Sequence, residues 1–139
     1  MHVNASHAFE EHTGEVRLHL QGPSISALFE EAVRALAELT LGEGPHGALG
    51  PPERVEVRAR DREALLAAWI DELVFLSETM KLVWVDAKID RLNDVELVGV
   101  VRGVAPASIR TAVKAATFHG LRVGPIPTGG FEAMVILDV

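Results

Sequence analysis

Two short segments of this chain carry side chains that could do chemistry where strands end. His12-Thr13-Gly14-Glu15 separates two stretches of alternating pattern. A turn there would gather an imidazole, a hydroxyl and a carboxylate at one sheet end. The plainer reading is a solvated turn whose Thr13 and Glu15 cap nearby backbone groups. Asp138-Val139 follows Met134-Val135-Ile136-Leu137, a uniformly apolar run of the kind buried in mid-sheet. With the sequence ending at Val139, a terminal carboxylate stands next to the Asp138 charge. Two such anions repel unless a cation or donor sits between them, or unless both face water, where the repulsion is screened. Lys114 and His119 are five residues apart in a segment with little other charge, so an unbroken strand would send them to opposite faces. His119 alone reads more simply as a hydrogen-bonded structural residue. In Trp69-Ile70-Asp71-Glu72-Leu73 the tryptophan reads as core, and Glu72, bordering the buried stripe, is expected to pair with a strand residue.

These groups need elements to hold them. Val3 to Glu11 alternates loosely and Val16 to Leu20 cleanly, which predicts two strands around the His12–Glu15 turn. Ser24 is placed to cap a helix whose apolar stripe is Ile25, Leu28, Phe29, Ala32, Val33, Leu36 and Leu39. Glu30, Glu31, Arg34 and Glu38 would cover its wet face, and Gly42 would end it. Gly42 to Pro52 is a Gly/Pro loop, expected to be mobile and dispensable for folding. Arg54 to Arg60 alternates as a strand. Asp61 can cap a second helix with the stripe Leu65, Leu66, Trp69, Ile70, Leu73 and Leu76. Leu82–Leu92 and Val95–Arg102 form a hairpin around Asn93-Asp94, followed by strands at Val113–Val123 and Phe131–Val139. The order is βαβαββββ with one extra early strand. It predicts an α+β protein, a single domain over residues 1–139. The expected architecture is a two-layer α/β sandwich with two main helices packed on one face of a mixed β-sheet.

Composition narrows the chemistry. The 139 residues include 48% hydrophobic and 24% charged side chains but only 5% aromatic ones, so the core must be largely aliphatic. The formal charge is -7, and residues 1–50 carry seven acids against two bases. That balance disfavours unassisted nucleic-acid binding and favours a cation or a basic partner surface. There is no cysteine, which removes thiolate metal sites, disulfides and cysteine nucleophiles. Five of the six histidines (His2, His7, His12, His19 and His46) lie in the first 50 residues. No helical His pair and no H-E-x-x-H motif accompanies them. The phosphate-binding glycine motifs and G-x-S-x-G are missing too. No apolar run approaches the ~20 residues of a membrane span, and the first residues are polar and acidic rather than basic then apolar. The expected compartment is the cytoplasm.

Several of these stretches, in order, resemble the archease family, accessory proteins of the RtcB-type RNA ligase. That family opens with a His-Thr-Ala-Asp turn, where this chain has His12-Thr13-Gly14-Glu15, followed by a Ser-capped helix like Ser24–Leu36. Trp69, Glu72 and Leu73 match its Trp-x-x-Glu-Leu. Lys114, Ala115, Thr117, Phe118, His119 and Leu121 match a Lys-Ala-x-Thr-aromatic-His-x-Leu strand, and Asp138-Val139 matches its closing Asp-aliphatic pair. The resemblance implies a divalent metal, typically Ca²⁺, held by Glu15, Asp138 and Val139, with His12, Lys114 and His119 as functional neighbours. It implies an activator rather than an enzyme, one that helps the ligase load GMP and turn over repeatedly in tRNA splicing and RNA repair. Two departures stand out: Glu15 replaces the family's Asp after Gly14 rather than Ala, and Ala112 replaces an acidic or polar residue. Ca²⁺ accepts either carboxylate because its coordination is flexible. No stable GTP or nucleic-acid binding by the chain alone is expected. Two other readings are a stand-alone metal-dependent hydrolase using Glu15, Asp138 and His119, and an acidic docking subunit without a metal.

Overall fold

The computed structural model describes residues 3–139; His2 lies outside the described residues. Among the described residues seven strands and two helices follow in the order β1 (Ser6–His12), β2 (Glu15–Gly22), α1 (Ile25–Leu41), β3 (Glu53–Arg58), α2 (Arg62–Met80), β4 (Val83–Leu92), β5 (Glu96–Val104), β6 (Ala115–Pro125) and β7 (Phe131–Asp138). Local chemistry explains most of the boundaries. Ser24 Oγ accepts the Ala27 N–H at 3.1 Å and Asp61 Oδ1 accepts the Ala64 N–H at 2.8 Å, the capping bonds expected of these residue types. Gly42 closes α1 at φ +84, and Lys81 closes α2 in the left-handed region. Asn93 shapes the β4–β5 turn by accepting the Val95 and Glu96 N–H groups on Oδ1.

The α+β class and the two main helices stand as expected, but the β layer is divided. Among the described residues the strands form a four-stranded sheet, β1-β2-β7-β6, and a three-stranded sheet, β3-β5-β4. Every pairing is antiparallel, where the sequence reading expected one mixed sheet. The helices explain the division, because each lies along the open edge of a sheet. Glu30 of α1 accepts the β4 edge amide of Ile89 at 2.9 Å, and Asp71 of α2 accepts the β6 edge amide of Ala116 at 2.8 Å. An edge covered in this way has no free amide there for another strand. Asp71, not Glu72, is thus the acid of α2 that reaches a strand.

One continuous core joins both helices to both sheets. Trp69 is fully buried and its indole N–H donates to Phe29 O at 3.0 Å, which ties α2 to α1. Trp84 is bonded to Leu73 O in the same way and lies over Gly103, where any Cβ would meet its ring at 2.9 Å. The Gly42–Pro52 segment has no regular structure, as expected. Its end is nonetheless fastened to β5: Gly50 N donates to Gly103 O, and Arg102 Nε donates to Gly50 O. No described helix is long and apolar enough to cross a membrane.

Candidate metal site

The β1–β2 turn and the end of β7 meet. Gly14, at φ +75, allows the tight reversal that sets His12 opposite Glu15. Glu15 is in turn the register partner of Asp138, and Asp138 also pairs with Ala115 on β6. The end of β7 is held from both sides, because Val139 N donates to Gly14 O at 3.1 Å and Lys114 N donates to Asp138 O at 2.8 Å. Val16 and Leu137 are buried toward the helices. Strand alternation therefore sends Glu15 and Asp138 to the opposite, outer face. Directly opposed residues hold their Cβ atoms about 4.5–5.5 Å apart, so both carboxylates can reach one ion.

Neither carboxylate forms an ion pair among the described residues. No group of three or more His, Asp or Glu side chains is gathered to hold a metal there or elsewhere among those residues. The donors a cation could use there would be two side-chain carboxylates and a Val139 oxygen. An all-oxygen set fits a hard divalent cation, with water completing the shell. His12 is exposed at the same sheet end, and exposed Lys114 adjoins Asp138 through its backbone.

His119 is not brought to this site. The β6 register jumps between Thr117 and Arg122, and Gly120 bends back at φ +67, where a Cβ would meet the Met134 side chain at 2.9 Å. Exposed His119 rides on this bulge, its N–H directed to Thr117 Oγ1. Lys114 precedes the strand and the bulge breaks the alternation, so the expected division of Lys114 and His119 between two faces of an unbroken strand does not apply.

Two features escaped the sequence reading. Arg17 follows Glu15 on the same face of β2, and its Nε is buried without a hydrogen-bond partner; period-two alternation was enough to place it there. The other is a second charged cluster, on the helix-facing side of the hairpin. His7 Nδ1 donates to Glu31 Oε2 at 2.6 Å, and its Nε2 donates to Glu38 Oε2. Arg34 Nε holds the other Glu31 oxygen at 2.8 Å. Glu31, assigned to the wet face of α1 from its periodicity, is only 6% exposed because β1 covers it. Burial alone pushes the His7 imidazole down, but the hydrogen bonds and charges of Glu38 and Glu31 outweigh it and hold the pKa above its usual value. Both ring nitrogens are committed to separate carboxylates, which makes this an ion-paired pin rather than a metal ligand.

The sequence profile of the archease protein family matches residues 7–139. Among curated relatives, the archease of Methanothermobacter thermautotrophicus is 31% identical, over 94% of this chain and 96% of its own length. That of Pyrobaculum neutrophilum is 30% identical over 88% of each. The solution structure of protein 1598 from Methanobacterium thermoautotrophicum superimposes with a TM-score of 0.72 at 29% identity, covering 96% of this chain and 98% of that one. The crystal structure of an archease from Thermotoga maritima, described as a possible chaperone, shares the fold with a TM-score of 0.62 at 22% identity over 94% of each chain. The chain belongs to the archease family.

Proposed function

We propose that this chain is a metal-binding activator of an RtcB-type RNA ligase, acting in the cytoplasm. It would promote guanylylation of the ligase and its multiple turnover in tRNA splicing or RNA repair. The observation that carries the site is the register of Glu15 against Asp138, with Val139 bonded to Gly14. Oxygens of Glu15, Asp138 and Val139 would hold the ion, with Ca²⁺ the first candidate. When bound, the ion would offset negative charge near a triphosphate. The chain's own part is positioning. Backbone bonds from Gly14 and Lys114 fix the end of β7, so the Asp138 carboxylate is presented at a set place on the outer face. His12 and Lys114 flank it as contacts for a partner. A stand-alone hydrolase would need His119 beside the two carboxylates, and His119 sits on the β6 bulge instead.

The test is transfer of labelled GMP to the ligase with and without this chain, and with Asp138→Ala. The expected result is faster labelling with the wild type and none of that gain with the variant. Robust GTP turnover by the purified chain alone, or no acceleration of the ligase, would sink the reading.

A further inference from the structure

Two hollows flank the segment 105–114, which leads from β5 to the candidate metal site. The first, of about 110 Å³, opens between the C-terminal halves of α1 and α2. Its walls are mainly apolar, among them Leu36, Leu73, Val74, Trp84, Ile109 and Val113, with Glu78 also in the lining. Ile109, which lines this hollow, is 51% exposed. The second hollow, of about 320 Å³, is bounded by Phe9 and Leu39 and by the carboxylates of Glu11, Glu38 and Glu43, with Arg110 the single cation of its lining. Of these acids Glu38 is already engaged with His7. Glu11 and Glu43 form no ion pair among the described residues. Neither helix carries a basic residue in its last turn, although Arg110 N donates to Thr40 O and His46 Nε2 to Gly42 O at the end of α1, and Lys81 stands at the α2 cap. The apolar hollow ends at Val113, next to Lys114, whose N–H is bonded to Asp138 O.

We propose that this face docks a basic segment of a partner protein. A bulky aliphatic or aromatic side chain fills the hollow over Trp84 and Leu73, and a lysine or arginine of the same segment meets Glu43 and Glu11. The charge pattern selects the occupant. An acidic or neutral peptide would gain the apolar contact but meet the carboxylates, whereas a basic one satisfies both. The inference rests on the activator reading for the identity of the partner, the RNA ligase. It adds that the ligase is gripped beside the metal site, through the 105–114 segment.

The experiment measures ligase binding by calorimetry for wild type, for Ala112→Trp, which puts a ring at the mouth of the apolar hollow from an exposed position, and for Glu11→Lys/Glu43→Lys. Ca²⁺ titration and thermal unfolding of each variant show whether the metal site and fold are intact. The expected result is a loss of affinity of about tenfold or more in both variants. The double variant should also have a flatter salt dependence, and Ca²⁺ affinity should be unchanged in both. Wild-type affinity in Ala112→Trp would overturn the docking site while leaving the activator reading standing. If the wild type neither binds nor activates the ligase, the activator reading fails. A fluorescent leucine–lysine amphipathic peptide, with its leucine–glutamate counterpart, then decides the docking site alone. Binding of the lysine peptide that Ala112→Trp abolishes supports it, and equal or absent binding of both peptides overturns it. A wild-type dimer that Ala112→Trp dissociates would also overturn it, because a second copy would be the occupant.

Discussion

A pair of acids lies against each face of the β1–β2 hairpin, Glu31 and Glu38 of α1 on one and Glu15 with Asp138 of β7 on the other, and the pairs are treated oppositely. On the helix side, Glu31 and Glu38 are closed around His7, and Arg34 takes the last free oxygen of Glu31. On the outer side, Glu15 and Asp138 stand in register, and neither forms an ion pair among the described residues. Burial accounts for the first arrangement: a carboxylate as enclosed as Glu31 must be paired inside the protein. The second pair is less enclosed and can leave its neutralisation to a visitor. Internally matched acids hold the fold together, and the pair left unmatched in register is where the proposed cation would sit.

The strongest way to break this contrast is to remove the internal cation. His7→Leu strands Glu31 with Arg34 alone. We expect a loss on the order of 3 kcal/mol, the lower end for a broken buried pair, or roughly 10 °C in midpoint. A midpoint shift no larger than that of an ordinary surface substitution would show that the pin is ornamental. The outer pair should behave in the reverse sense. Saturating Ca²⁺ should stabilise the wild type by about 2.7 kcal/mol at a hundredfold excess over Kd. His7→Leu should gain as much, and Asp138→Ala should gain nothing while losing no stability in chelator. Equal calorimetric affinity in wild type and Asp138→Ala would remove the site.

A smaller effect follows from proton linkage. The His7 pKa is raised in the fold above its ordinary value of 6.5, so its stabilisation is fully present below about 6.5 and fades as pH rises through the folded value. Thermal midpoints of the wild type should therefore fall over that window relative to His7→Gln; parallel pH profiles would count against the pin. The smallest change expected is in Glu15→Asp, which shortens one ligand arm by a methylene. It should alter Ca²⁺ affinity by less than about tenfold, given the flexible coordination of the ion, and leave the metal-free midpoint unchanged.

Much of the fold was legible because local rules decide it. Alternation marked β2 and β3, Ser24 and Asp61 announced their helices by capping chemistry, and the spacing around Trp69 put the indole in the core. What resisted was non-local. Nothing within β3, β4 or β5 states that they pair with one another and not with β2 or β7, so one mixed sheet was a fair expectation. Glu31 looked solvated because helix periodicity describes one helix and cannot include the strand that later covers it. The bulge in β6 defeated a parity argument about Lys114 and His119 that needs an unbroken strand. Glu15 and Asp138 were joined at first only by resemblance to a family; their meeting in register is a property of the sheet order.

That sheet order also bears on how the chain assembles. Its second strand waits for its seventh: β2 has β1 on one side from early synthesis, but its other edge is matched only when residues 131–138 have been made. Pairing at such sequence separation pays its loop-closure entropy before any reward, so closure of the four-stranded sheet is expected to be the slow, topology-limited step of folding. Until then Val16, Leu18 and Leu20 belong to a two-stranded ribbon with an open edge, the kind of surface that misassembles in nascent chains. Because Glu15 and Asp138 face each other only across that last pairing, the proposed cation site would exist only once the sheet is complete.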